Sequence, residues 1–235
     1  TEVMPGATAE RAVLRVSTTT PINEPIVTSY LAAGCKARIT RKVVALADKI
    51  RGSIINGLSQ NRWLSEKGKL AAIDKIQKAS LQLVTPQTDA EWDFAPQAEY
   101  SLDKPYGNFQ LLKNNLIQKE LNELKGPRNR QKWEMGPLTV NAYYSPPDNK
   151  FVLPIGILQY PFFSGDVPDE SNLGAMGAVI GHELGHGIDD KGARYDYEGK
   201  LKQWLSDDDI SEFKKRGSRL KELFNKVGVN GELTQ

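Results

Sequence analysis

Val43, Leu46, Ile50, Ile54 and Leu58 recur at intervals of three and four residues in an otherwise polar stretch. Only a helix gathers such positions on one face, so the spacing predicts a long amphipathic helix in the region after Pro25. Asn61 to Leu64 interrupt the pattern. Ser65 then offers an N-cap with Glu66 in the first turn, and Leu70, Ile73 and Ile76 carry a shorter apolar stripe. Residues 25–105 therefore read as a helical segment. Residues 1–24 hold Thr, Pro and Ala without a period and read as extended or poorly ordered. The stretch 85–107 mixes Pro, Asp, Gly and aromatics aperiodically and marks a boundary, with a second unit over 106–235. Another helix is expected from Asn108 to Lys125 on Leu112, Leu116, Leu121 and Leu124, stopped by Gly126-Pro127.

The period then drops to two. Leu138 to Tyr144 alternate apolar and polar positions, the signature of a strand, and Pro146 to Asn149 form a turn. Phe151 to Leu153 suit a short second strand ended by Pro154. Ser171 can cap a helix running through Met176, Val179 and Ile180 into His182. Ser206 and Asp209 fit a capping box for a last helix on Ile210, Phe213, Leu220 and Phe224. The sum is an α+β chain, mostly α, with a small sheet.

Composition excludes more than it assigns. A chain of 235 residues with 39% hydrophobic and 26% charged residues can bury a core. The net charge of +2 is spread rather than blocked, which argues against nucleic acid as a partner. Cys35 is the only cysteine, so neither an internal disulfide nor a thiolate metal cluster can form, and Cys35 reads as a small core residue. No sequon occurs. No apolar run reaches the roughly 18–20 residues of a transmembrane segment, and no signal-peptide layout appears. The chain begins at Thr1 rather than Met and reads as a fragment or a processed product.

Both histidines lie in "VIGHELGHGIDD" (179–190). On a helix, His182 and His186 stack one turn apart, about 6 Å along the axis at 1.5 Å per residue, so both rings can bind one Zn²⁺. Glu183 projects beside them, placed to take a proton from a zinc-activated water. The bare pattern also fits two exposed helix histidines. Gly174, Gly177, Gly181 and Gly185 on the same helix cost stability and point to close approach by another backbone or a ligand. Asp189 and Asp190 follow within a turn, where a carboxylate can hold an imidazole N–H from the second shell, or simply solvate the helix end.

Three blocks in order, Val140-Asn141-Ala142-Tyr143-Tyr144, Leu153 to Phe163 (LPIGILQYPFF) and Gly177 to Asp190, resemble the neprilysin and endothelin-converting-enzyme family of zinc metallopeptidases. Trp63, Lys69 and Lys75 resemble it more loosely. A thermolysin-like peptidase of another family accounts for the histidine motif but not for the Asn-Ala-Tyr-Tyr block. The resemblance implies a thermolysin-like zincin unit, preceded by helices of a second, incomplete helical domain, acting as a zinc-dependent endopeptidase on small peptides. It implies that His182 and His186 are zinc ligands and Glu183 the catalytic base. Asn141, Ala142 and Tyr143 would bind the substrate from an edge strand, consistent with addition of an extended peptide to a sheet edge. Ile157, Phe162, Ala178 and Val179 match positions around the pocket beyond the cut bond, though plain core packing explains them too. The absence of cysteine pairs favours a bacterial-type member. The resemblance favours a periplasmic, secreted or cell-surface location and leaves a cytoplasmic one open.

In that family a glutamate further downstream completes the metal site. This sequence ends Asn230-Gly231-Glu232-Leu233-Thr234-Gln235, which by the resemblance falls just short of it. Glu232 belongs to the preceding loop in the family pattern. The alternative expectation is therefore a truncated or non-catalytic chain that binds peptide weakly or needs the remainder of the same polypeptide, with zinc weakly held or absent.

Overall fold

The computed structural model describes residues 2–5, 12–15, 36–88, 90–92 and 99–226. Cys35 and the segment with Glu232 lie outside them. Two units are distinct, 1–36 and 37–235. In the first, β1 (Glu2–Pro5) pairs antiparallel with β2 (Ala12–Arg15), Glu2 opposite Arg15.

The second unit is mostly helical around a small sheet. α1 (Lys36–Ser59) forms where the first stripe predicts it. Val43, Leu46 and Ala47 are buried against Phe151, Leu153, Met176, Ile180 and Leu184, and Ile50 and Ile54 pack on the same cluster. α2 (Glu66–Lys78) starts at Ser65, whose hydroxyl accepts from the Gly68 N–H at 3.0 Å. Of the expected stripe Ile76 is buried and Ile73 packs beside it, while Leu70 is 64% exposed and Ala72 and Lys75 take its place on the buried face.

β3 (Ser80–Val84), β4 (Tyr143–Ser145) and β5 (Lys150–Pro154) form one sheet in the order β3-β5-β4. β3 runs parallel to β5, Ser80 opposite Lys150, and β4 antiparallel to it, Tyr144 opposite Phe151. β5 is central and buried along its whole length, as a strand covered on both faces must be. The sheet corrects the sequence reading twice. β3 lies before the boundary expected near 105/106 and pairs with a strand after it, so that boundary falls inside one compact unit. The strand expected over 138–144 is reduced to Tyr143–Ser145. Its first half forms a local turn instead, the Thr139 N–H donating to the Gly136 carbonyl at 3.0 Å, and Leu138 and Val140 are exposed.

α3 (Pro105–Glu123) buries no residue, so the leucines that predict it do not face this core. α4 (Asp169–Gly185) begins after Pro168, two residues before the expected Ser171 cap, with Asp169 and Glu170 in its first turn. α5 (Asp207–Asn225) carries the expected capping box between Ser206 and Asp209. The box does more than cap. Asp209 also accepts from the Ser65 N–H at 2.6 Å and the Ser65 hydroxyl at 2.7 Å, locking the start of α2 to the start of α5. Among the described residues no helix is long and apolar enough to cross a membrane.

Candidate metal centre

α4 packs its glycines on α1: a Cβ at Gly177 would stand 3.3 Å from the Ile50 side chain and one at Gly181 3.8 Å from it. Gly174 and Gly185 have open space, so close packing explains two of the four. The approach leaves the last turn of α4 at the surface with His182 exposed and His186 half-buried just beyond the helix end.

The two imidazoles meet edge to face, centroids 4.5 Å apart and planes at 79°, with their Nε2 atoms 3.1 Å apart. His186 Nδ1 lies 2.7 Å from Asp189 Oδ2. Burial pushes the Asp189 carboxyl up, but the Gly192 N–H, the His186 ring and the Lys191 N–H hold it below the ordinary carboxylate range. An ionised carboxylate only accepts, so this contact suits a ring that carries its proton on Nδ1 and leaves Nε2 for a metal. Two nitrogens bound to one tetrahedral zinc at about 2.0–2.1 Å would stand roughly 3.3 Å apart. The pair fits that donor set. Among the described residues no group of three or more His, Cys, Asp or Glu gathers that could hold a metal.

Asp189 and Asp190 part company here. Asp189 Oδ1 also accepts from the Lys191 N–H at 2.9 Å and the Gly192 N–H at 2.7 Å. Asp190 is exposed and lines a cavity of about 640 Å³ between the 193–205 loop and α5.

Glu183 points inward and is 8% exposed. Burial raises its carboxyl above the ordinary range, against the pull of His186, His182 and the Tyr144 N–H, which donates to it. Tyr144 in turn sends its hydroxyl to Asn149 Oδ1. Asn149 takes a left-handed backbone, φ 47°, at the β4–β5 turn and donates to the carbonyls of Lys75 at 3.1 Å and Tyr197 at 3.2 Å. Burial pushes the Tyr144 hydroxyl well up, so it stays a donor.

β4 is an edge strand of its sheet. Asn141 is exposed and Ala142 buried just before it, with Asn141 Oδ1 accepting from the Ala142 N–H at 2.9 Å. Tyr143 is half-buried, and its hydroxyl accepts from the Glu134 N–H at 2.7 Å. Ile157 is buried in a 3₁₀ turn over Ile155–Ile157, and Val179 packs against the core. Phe162 and Ala178 are exposed. Sequence reading missed Tyr144, Asn149 and Lys75. Lys75 appears in the sequence only among the residues that resemble the family loosely, and nothing local marks it or Asn149 as part of the site.

A family model described as Peptidase family M13 matches residues 141–234. Neprilysin-11 of Caenorhabditis elegans is 31% identical over 225 residues, covering 88% of this chain and 26% of that protein. Endothelin-converting enzyme 1 of Rattus norvegicus is 43% identical over 110 residues, 47% of this chain and 14% of that one. Among solved structures, the zinc metalloprotease Zmp1 of Mycobacterium tuberculosis, in complex with an inhibitor, aligns at 34% identity and TM-score 0.69, covering 81% of this chain and 28% of that one. PepO of Lactobacillus rhamnosis HN001 aligns at 28% identity and TM-score 0.76, covering 83% and 31%. The chain spans about a quarter of the length of the first of these relatives.

Proposed function

Residues 141–234 belong to peptidase family M13, and from that premise we propose that the whole protein is a zinc-dependent endopeptidase acting on small peptides. His182 and His186 would hold the metal through Nε2. A catalytic zinc takes three protein ligands, so a donor from outside the described residues completes the set, supplied by the same polypeptide. Zinc held there supplies Lewis acidity, polarising the scissile carbonyl and making water easier to deprotonate.

The chain's own residues do the rest. Asp189 fixes the ring of His186 and its tautomer. The Glu183 carboxylate accepts the proton of the attacking water as the water oxygen adds to the scissile carbon. It then returns that proton to the departing amine nitrogen as the C–N bond breaks. Asn141, Ala142 and Tyr143 would align an extended peptide along the open edge of β4. Ile157, Phe162, Ala178 and Val179 would border the side chain after the cut bond. The observation that carries this reading is the convergence of the two Nε2 atoms to 3.1 Å beside the buried Glu183.

The test uses the full-length protein. Glu183→Gln is expected to lower kcat by about 10²–10⁴-fold, the range for a positioned base, with zinc content unchanged by metal analysis. Turnover at the wild-type rate would sink the general-base role. A second reading, a non-catalytic chain that only binds peptide, draws on the two-donor site. It requires that purified full-length protein hold less than one zinc and leave peptides uncut.

A further inference from the structure

Lys75 has no role in that chemistry, yet its placement is costly. It sits on α2, 1% exposed, and burying an ammonium is costly unless it is paired or hydrogen-bonded. It donates to the Gly192 carbonyl at 2.5 Å and the Tyr195 carbonyl at 2.6 Å, 117 and 120 residues away. Both acceptors lie in the loop that follows α4. Burial lowers the amine to about 8, against Asp196 and Asp189, which raise it, so it carries its charge at neutral pH.

Gly192 is held from both sides. Its carbonyl accepts from Lys75, and its N–H donates to Asp189 Oδ1. The loop is pressed so tightly against the end of α4 that a Cβ at Gly192 would stand 1.8 Å from the His186 carbonyl oxygen. Asp189 Oδ2 then reaches His186 Nδ1. Three further bonds tie down the same region: Asn149 donates to the Lys75 and Tyr197 carbonyls, and the Trp204 indole donates to the Tyr195 carbonyl at 3.0 Å.

We infer that Lys75 is a positioning residue for the metal site: by clamping Gly192 it sets where Asp189 stands and so aims His186 Nε2. The inference rests on the reading of His182 and His186 as metal ligands. A lysine that merely anchored the loop would affect stability alone. One that works through Asp189 must couple to metal affinity.

The experiment measures the zinc dissociation constant of the full-length protein by competition with a fluorescent chelator, alongside Tm. The variants are Lys75→Met, Asp189→Asn, the double substitution, and Asp209→Asn as a control that loosens α2 at its other end. Lys75→Met is expected to weaken zinc roughly tenfold, the low end of the range for outer-shell partners. The double variant is expected to bind no more than about twofold more weakly than Asp189→Asn alone, the non-additivity of one relay. Asp209→Asn is expected to lower Tm with zinc affinity unchanged. Zinc affinity of Lys75→Met within about twofold of wild type, or additive losses in the double variant, would overturn the inference. If Lys75→Met cannot be purified folded, Lys75→Gln is measured against the same criteria. His186→Ala separates the two levels: if it leaves zinc affinity intact, the metal-centre reading itself fails; if it abolishes binding while Lys75→Met does not weaken it, only the relay fails.

Discussion

Asp189 and Asp190 are neighbours in sequence with the same chemistry, and only one touches a histidine. Asp189 accepts from His186 and two backbone N–H groups, whereas Asp190 faces solvent and a separate cavity. In the full-length protein, Asp189→Asn should weaken zinc by about 10–100-fold, since an amide cannot accept from the ring N–H through its own NH₂ and ionise as the carboxylate does. Asp190→Asn should leave zinc affinity within about twofold, because it removes no bond to a ligand. Chelator competition on the two variants checks this, and equal losses would contradict the assignment. That His182, Glu183 and His186 come together on one helical turn was legible in the sequence because helical spacing is a local rule. Which aspartate serves them was not, because that depends on how the chain turns after α4. Lys75 and Asn149 were invisible as site residues for the same reason: their partners lie across the fold.

Among the elements, the joint between α2 and α5 depends on a single carboxylate. Burial pushes Asp209 up, but the N–H and hydroxyl groups of Ser65 and Ser206 outweigh it and hold the carboxyl at about 2. Its folded pKa is depressed, so the unfolded chain binds the extra proton between about pH 4 and pH 2. The stabilisation is therefore complete above about pH 4 and is lost as pH falls through about 2. It amounts to about 2 kcal/mol at neutral pH. Urea unfolding across pH 2–5 should show this slope in the wild type and a flatter one in Asp209→Asn; identical slopes would count against it. The capping box itself could be read from Ser206 and Asp209, but its bonds to Ser65, 144 residues away, could not. α1 was legible because its stripe runs from Val43 to Leu58, over sixteen residues. β3 was not, because Ser80 to Val84 is too short to show a period and its partner lies 70 residues on in β5.

For the molecule as a whole, β3 and β5 pair in parallel, and α1 and the histidine helix share one core with them. Phe151, fully buried on the central strand, touches that core from the middle. Phe151→Ala should cost about 3–5 kcal/mol, the range for emptying a buried phenyl site, and denaturant unfolding should register the loss in one cooperative transition. A loss confined to part of the signal, with α1 melting separately by hydrogen exchange, would mean that the core is divided near residue 105 after all. The change of period after residue 126 marked the change from helix to strand correctly. It could not reveal that one strand of the sheet came from before it.

The β3–β5 pairing also has a kinetic consequence. Parallel neighbours this far apart can meet only after a long loop closes, and entropy makes such contacts late ones. Tyr144, which donates to Glu183, stands on the strand paired to β5, and the Lys75 bridge spans 117 residues. The paired imidazoles can form early, as soon as α4 does. The contacts that hold Glu183 and Asp189 in place, from the Tyr144 N–H and through Gly192 from Lys75, come with the docking of the sheet. If His182 and His186 hold a metal as proposed, the order of these folding steps would set when tight capture begins.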